Sequence, residues 1–453
     1  MNLLKTKPGR LAAFGGLYFS EGLPQGFVAT ALALEFKRQG MNVEAITTFA
    51  AIAMLPWAWK FVIGPLVDNL HIRRFGARKQ WIVMAQTGML VWLALALLNM
   101  PTVENGKAIG IGLFTFLMVM HNVFAATQDV AIDALACNVL KKDERGLANG
   151  LMFGGAHSGH IIGGSGVIML KEFSGSFSIA SLLVPFLLLA VLVFTITLIC
   201  EKSAAREMEE GEIPAPDPGD AGFIAAVHQI GHYAVAVGRT FFLTRRGFLG
   251  LVVALLPLGG MALSQTVSTL IAPTLGMDDK GIASLALFTG IVWVISCMCG
   301  GFISDRIGRR ISLAIFAGLS VVPGLWMAWK FHQLGWNHPP EGVNGVWPHE
   351  PQLITYWWTA AMAFSVFNGL MYGVRSAFFM DIVNPKIAGT HFTACMAMIN
   401  LVAAYTNIWQ GKALDTDVWN WTLPKILVVD SILGLVFLAV LPFVKPKQIH
   451  LDD

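Results

Sequence analysis

The chain has 453 residues, of which 55 % are hydrophobic and only 13 % charged, with a mean hydropathy of +0.63. One soluble core cannot hide that share of apolar side chains, so a soluble globular domain is excluded and a multi-span membrane protein is indicated. The net charge of +3 follows from where the basic residues fall and calls for no nucleic-acid partner.

About twelve apolar segments are long enough to cross a bilayer. They lie at 11–34, 43–68, 80–100, 108–134, 146–170, 177–200, 247–273, 281–304, 310–330, 352–380, 388–412 and 422–444. If both termini are cytoplasmic, 21 of the 31 Lys and Arg fall on the inner tails and loops and eight on the outer loops, while Lys60 and Arg375 lie inside spans. The positive-inside rule selects that topology. The five cysteines (Cys137, Cys200, Cys297, Cys299 and Cys395) sit in or beside apolar segments. The Cys297-x-Cys299 pair reads as packing rather than metal binding, because no His or carboxylate is near it in sequence.

Lys5, Lys7 and Arg10 precede an apolar run that resembles a signal peptide, but the run is long, carries Glu21 and leads into many further spans. It is expected to be a retained first helix. Glu21 and Gln25, four residues apart, share one face of it. Lys60 is the only lysine inside the next run, Leu55 to Asp68. A cation in hydrocarbon costs at least ~2.5 kcal/mol. It either snorkels or pairs structurally, or it faces a polar cavity through which a solute passes. Glu21 and Lys60 lie ~15 Å and ~12 Å from the inner ends of their helices at 1.5 Å per residue, so a Glu21–Lys60 pair is expected.

Gly64-x-x-x-Asp68 and Gly301-x-x-x-Asp305 are 237 residues apart, and each closes the second helix of a six-helix half and leads into a basic loop. The expected division is an N-terminal half at 1–200, a linker at 201–246 and a C-terminal half at 247–453. The second copy, Gly301-Phe302-Ile303-Ser304-Asp305-Arg306-Ile307-Gly308-Arg309-Arg310, resembles the signature loop of the major facilitator superfamily. The first copy has Asn69 for the arginine and an insertion before Gly76. The resemblance implies twelve helices in two pseudo-symmetric halves. It also implies a cytoplasmic gate in which Asp68 and Asp305 accept bonds from a neighbouring helix end and Arg78, Arg306, Arg309 and Arg310 brace loops.

In the fourth span Gln128, Asp129 and Asp133 form a polar cluster, with the two carboxylates four apart on one face near the inner end. Water is expected to reach Asp129 and Asp133 there, which makes them gate or relay groups. The fifth span carries Gly154, Gly155, Gly159, Gly163, Gly164 and Gly166, a composition that permits close backbone approach. His157 and His160, at i and i+3, are either substrate or proton groups or packed, hydrogen-bonded side chains. From Glu201 to Asp220 the sequence turns acidic and proline-rich, as a cytoplasmic linker does. Phe223, Val227, Ile230, Val235 and Phe241 suggest a helix on the inner membrane face. The outer loop 331–352 is rich in Trp, His, Pro and Gly, and His332 and His338 are expected to be exposed there rather than to bind metal.

A narrower resemblance rests on Glu21-Gly22-Leu23-Pro24, Pro56-x-x-x-Lys60-Phe61-x-x-x-Pro65-x-x-Asp68, Gly76-x-Arg78-Lys79-x-Trp81 with Gln86, Gln128-Asp129-x-x-x-Asp133 and Glu144-Arg145-Gly146. These phrases are similar to the AmpG-type muropeptide permeases and to the wider group of acetyl-coenzyme A transporters and siderophore permeases. Ala388-Gly389-Thr390-x-Phe392-Thr393 is also similar in that wider group. Muropeptide permeases usually have Tyr-Arg where this chain has Ala156-His157, and Lys-Leu-Gly-Asp where it has Pro257-Leu258-Gly259-Gly260. That loss of charge changes what the cavity can satisfy.

The expectation is an all-α major facilitator permease in a bacterial inner membrane, a monomer without cofactor, importing a polar organic solute with H⁺ as coupling ion. Two other classes compete with this reading. An enzyme is disfavoured because neither His-Glu-x-x-His nor a nucleophile elbow occurs. A receptor that senses without moving solute would be separated by solute counterflow.

Overall fold

The computed structural model describes residues 2–41, 43–69, 76–104, 107–201, 244–264, 271–272, 274–338, 351–383, 388–414 and 418–444. Apart from one short hairpin, these are helices. The surface shows why the composition is so apolar: Phe186, Leu189, Val193 and Ile196, spaced three or four apart on one helix, are each at least half exposed. Such a stripe needs lipid against it.

Helix α1 (residues 7–38) starts on Thr6, whose hydroxyl accepts the Gly9 amide, and it passes through a π segment, Phe27–Leu32, soon after Pro24. Proline has no N–H to give the ladder, and π turns commonly absorb such an interruption. Helix α2 (residues 43–69) is more broken. It runs as Val43–Ala53, a turn at Met54, Leu55–Trp59, a 3₁₀ turn Lys60–Val62, and Gly64–Asn69, with Pro56 and Pro65 inside. Helix α3 (Lys79–Leu98) is followed by β1 (Thr102–Glu104) and β2 (Lys107–Ile109), antiparallel with Val103 opposite Ala108. Helix α4 (Ile111–Val139) is unbroken. Then come α5 (residues 145–174, with a π segment Ile162–Gly166) and α6 (Phe177–Leu198).

The later helices are α7 (Arg245–Leu255), α8 (Asp279–Ile307), α9 (Arg309–Gln333), α10 (Pro351–Ile382), α11 (Ala388–Leu414) and α12 (Leu423–Phe443). Seven helices among the described residues are long and apolar enough to span a membrane by themselves. The others include the interrupted α1, α2, α5 and α7. Each of the twelve apolar segments read from the sequence holds a helix among its described residues, but α7 stops at Leu255, well short of 273. Pro257 follows, and Gly259 takes φ +73°, a left-handed conformation that glycine adopts without steric cost. The linker 202–243, with the expected membrane-surface helix, lies outside the described residues.

By proximity the chain forms two units. The first comprises Met1–Glu144, Leu151–Phe241 and Val383–Ala397; the second comprises Arg145–Gly150, Phe242–Ile382 and Met398–Asp453. The first unit centres on the rings of Phe36, Phe49 and Phe114, whose centroids are 5.4 to 5.8 Å apart, with Leu23, Phe27, Met89 and Leu93 buried around them. The second centres on Phe331, Trp357 and Phe364 with Met327 and Leu427.

Within the first unit, α1 and α5 meet backbone to backbone. A Cβ added at Gly22 would fall 1.8 Å from the Ala156 carbonyl oxygen, and one at Gly159 would fall 2.2 Å from that of Phe19. Lipid offers helices no hydrophobic reward for associating, so this approach, which only glycine permits, is how two membrane helices gain contact. In the second unit α8 and α10 do the same, with Gly373 facing the Cys297 carbonyl at 2.0 Å by the same measure.

Candidate functional site

In the first unit α1, α2 and α4 bring together the polar side chains that the apolar runs carry. Lys60 is 5 % exposed and its ammonium donates to Asp129 Oδ2 at 2.6 Å. It also lies 5.7 Å from the centre of the Trp57 ring. That indole is fixed in turn, because its Nε1 donates to Asn122 Oδ1 at 2.8 Å. One helical turn beyond Asp129, Asp133 accepts a hydrogen bond from the Tyr18 hydroxyl. Gln128 donates to Ser20 Oγ at 3.2 Å.

Glu21 is 7 % exposed and receives Gln25 Nε2 at 3.5 Å on Oε1, while its Oε2 has no hydrogen bond among the described residues. Asp129 and Lys60 both lie within electrostatic reach of Glu21. Three buried carboxyls therefore share one lysine.

This corrects two expectations. The lysine pairs with Asp129 and not with Glu21. Measuring along a helix gives depth but not direction, and the 3₁₀ turn that begins at Lys60 resets the direction of its side chain. Asp129 is ten residues from the end of α4, hence ~15 Å deep, level with the other two groups. Nor does water reach the α4 carboxylates: Asp129 and Asp133 are 4 % and 1 % exposed. His157 and His160 share a face as expected, their rings stacked 6.2 Å apart.

The basic-loop residues divide between the units. In the first, the side chain of Asp68 and residues 70–75 lie outside the described residues. Arg78 donates to the Val67 carbonyl at 2.8 Å. Glu201 sits at the start of α3, accepting the amides of Arg78 (2.7 Å) and Lys79 (2.8 Å). A carboxylate at a helix N-terminus satisfies donors that have no partner inside the helix and suits the dipole.

In the second unit, Asp305 accepts the Gly146 and Leu147 amides, both at 3.0 Å, and Arg309 Nη2 at 2.9 Å. It thus receives bonds from a helix start, the geometry that the loop resemblance implies. Arg309 also bonds Asp381, which receives Arg145 at 3.2 Å as well. Arg306 is exposed and stacks on Phe302 at 4.1 Å, and Arg310 donates to the Pro442 carbonyl at 3.0 Å.

Sequence reasoning did not single out Tyr18, Trp57 or Asn122 in the first cluster, nor the charged groups Asp381, Arg10 and Asp430. Asp381 ends an apolar run as Asp68 does, and that parallel could have marked it. Arg10 makes a two-pronged bond to Glu144 at 2.6 and 2.9 Å, and in the sequence Glu144 stands out only within Glu144-Arg145-Gly146. Asp430, inside α12, accepts the Met261 amide at 2.7 Å, the Ala262 amide at 2.9 Å and Gln410 at 3.0 Å. It caps the chain where α7 breaks, and an acid inside an apolar run was signal enough.

The recurrence of one motif relates the units. Trp293 Nε1 on α8 donates to Asn368 Oδ1 on α10 at 2.8 Å, matching Trp57 on α2 and Asn122 on α4. Asn368 and Arg375 both lie 246 residues after their first-unit counterparts, Asn122 and Asp129.

Helices suited to a bilayer, a repeated helical motif and charge buried at mid-depth define a polytopic membrane carrier. The sequence profile of the Major Facilitator Superfamily matches residues 12–407, and the chain belongs to that superfamily. It is a transporter and not an enzyme.

Among characterised and named proteins it is similar to a putative transporter, AmpG 4, of Rickettsia conorii, with 25 % identity over 92 % of this chain and 93 % of that protein. It is also similar to the anhydromuropeptide permease of Escherichia coli, with 23 % identity over 94 % of this chain and 78 % of that one. Among solved structures it resembles the proton:xylose symporter XylE (TM-score 0.61, 15 % identity, 97 % and 95 % of the two chains). The fucose:proton symporter of E. coli is comparable (TM-score 0.58, 13 % identity, 96 % and 98 %). At such identities the solved structures bear on fold alone.

Proposed function

We propose that this carrier imports a polar organic solute of the anhydromuropeptide class across a bacterial inner membrane, driven by protons, with both termini cytoplasmic. The names of its relatives support the solute class, and the excess of Lys and Arg on one side supports the sidedness.

The observation that carries proton coupling is the cluster of Glu21, Asp129 and Asp133 around the single Lys60. One ammonium balances one carboxylate, and charge left over in a low-dielectric site is costly. A proton on Glu21 relieves it in one access state, and release of that proton in the other couples it to transport. Asp129 holds Lys60, Asp133 and Tyr18 serve as relay, and Gln25, Gln128, His157 and His160 line the solute's path. Asp68, Arg78, Asp305, Arg306, Arg309 and Arg310 belong to the cytoplasmic gate of an alternating-access cycle.

The test uses purified protein in proteoliposomes with a labelled anhydromuropeptide. An inward proton gradient should drive accumulation, an uncoupler should abolish it, and Glu21→Gln should retain downhill counterflow without accumulation. Accumulation that survives the uncoupler or follows sodium overturns the coupling. Absence of counterflow removes the solute class and leaves the receptor reading. The missing charges at Ala156-His157 and Pro257–Gly260 make siderophores and coenzyme A esters the comparison solutes for a parallel thermal-shift screen.

A further inference from the structure

Arg375 is a buried cation to which the scheme above gives no task. It lies on α10, is 8 % exposed, and its Nε has no hydrogen-bond partner among the described residues. Among the described residues no carboxylate pairs with it. Its guanidinium carbon stacks 3.8 Å from the centre of the Tyr372 ring. Tyr372 is held edge-on by Trp293 at 5.2 Å, and Trp293 is held by Asn368. The guanidinium plane is therefore held in orientation on the Tyr372 ring.

The repeat shows how unusual this is. In the first unit the Trp57–Asn122 bond stands beside Lys60 and Asp129, a cation with its anion. Shifting by 237 residues on α8, the offset of the Gly-x-x-x-Asp copies (Trp293 follows Trp57 by 236), and by 246 on α10 gives Cys297, next to Ser296, and Arg375. The same frame thus holds a charge pair closed within the protein in one copy and, in the other, an arginine opposite a thiol. An arginine at membrane depth without a counter-charge is costly, and such residues mark ligand paths.

We propose that Arg375 receives the negatively charged group of the transported solute, a carboxylate or phosphate, gripped two-pronged by the guanidinium against Tyr372. This deepens the reading of the chain as a carrier of anhydromuropeptide-like solutes and names the part of the solute that the second unit recognises. Muropeptides carry free carboxylates and coenzyme A esters carry phosphates, so the shared chemistry is an anionic oxygen fork.

The experiment measures binding to the purified full-length carrier by thermal shift and equilibrium titration. The probes are an anhydromuropeptide, its methyl ester, acetate and inorganic phosphate, tested on wild type, Arg375→Gln and Arg375→Lys. The acid form should bind wild type at least tenfold more tightly than the ester. Arg375→Gln should erase that difference by weakening the acid alone, and Arg375→Lys should restore part of it. Equal weakening of acid and ester in Arg375→Gln, or no weakening, overturns the proposal. If Arg375→Gln does not fold, the acid-to-ester ratio in wild type and in Arg375→Lys decides, and equal ratios near one overturn it. If neither muropeptide form binds wild type, the solute class proposed above fails. The anion site then stands only if acetate or phosphate protects wild type and not the Arg375 variants, and it falls if neither anion does so.

Discussion

Lys60 and Asp129 form a close pair whose two members lie on different helices and are almost wholly buried. Removing one partner leaves a charge with nothing to balance it, at a cost of about 3 to 5 kcal/mol, whereas replacing both with apolar residues can be nearly neutral. Lys60→Met and Asp129→Leu are each expected to lower the melting temperature and abolish uptake. The double variant should regain much of the stability and none of the transport, as melting curves and uptake assays on the same preparations would show. If both single variants transport normally, the pair has no functional part. The charged members of this site were legible in the sequence because a charge inside an apolar run announces itself. Their partners were not legible: partner choice depends on the direction a side chain takes around its helix, and the Lys60 turn alters that direction. Asp430 is equally visible as an intramembrane acid, but its partners are not: they are Gln410 and two backbone amides freed where α7 breaks, nearly 170 residues earlier.

Two seams depend on whole elements rather than single groups. Where α1 meets α5, Gly22→Val or Gly159→Val places a branched side chain against a backbone carbonyl that cannot retreat without moving its helix. Such overpacking costs typically 1 to 3 kcal/mol and occasionally more. The expected result is reduced folded yield and a lower melting temperature, with Gly40→Val, at a position with open space around its Cβ but a positive φ, as a control for backbone strain alone. A glycine variant as stable as wild type would mean that the seam is looser than described. At the α7 break, Asp430→Ala strips the Met261 and Ala262 amides of their acceptor, at about 1 to 3 kcal/mol for each group left unsatisfied, whereas Asp430→Asn keeps a carbonyl oxygen there and should be milder. The glycine composition of α5 foretold the close approach in general terms. The broken α7 did not show, because hydropathy runs smoothly through Pro257 and Gly259 while the hydrogen-bond ladder does not.

For the molecule as a whole, the all-helical major facilitator fold was legible in the apolar runs together with the repeat of Gly64-x-x-x-Asp68 at Gly301-x-x-x-Asp305. Asp305 and Asp381, with Arg145 and Arg309, form a chain of alternating charge in the second unit. If this lattice belongs to the gate, Asp305→Asn should slow exchange at least tenfold while equilibrium affinity for solute stays within about threefold, as counterflow and binding titration on one preparation would establish. A large loss of affinity with unchanged exchange would contradict that placement. Which side chains complete the lattice could not be read from the motif, since Asp381 and Arg145 come from helix ends that the fold alone gathers.

The glycine-lined seam between α1 and α5 also bears on the order in which the molecule comes apart. Glycine normally disfavours folding because a free chain gives up so much backbone freedom at that residue. Helices already inserted in a bilayer have given up that freedom before they meet, and a surface without side chains has no rotamers left to freeze. Association along this seam therefore carries little entropic penalty on either account, and its advantage should shrink less with temperature than that of seams built from long side chains. On heating in micelles, α1 and α5 are expected to keep their amide-exchange protection after α3 and α6 have lost theirs. Simultaneous loss across all four helices would show that the seam holds no such reserve.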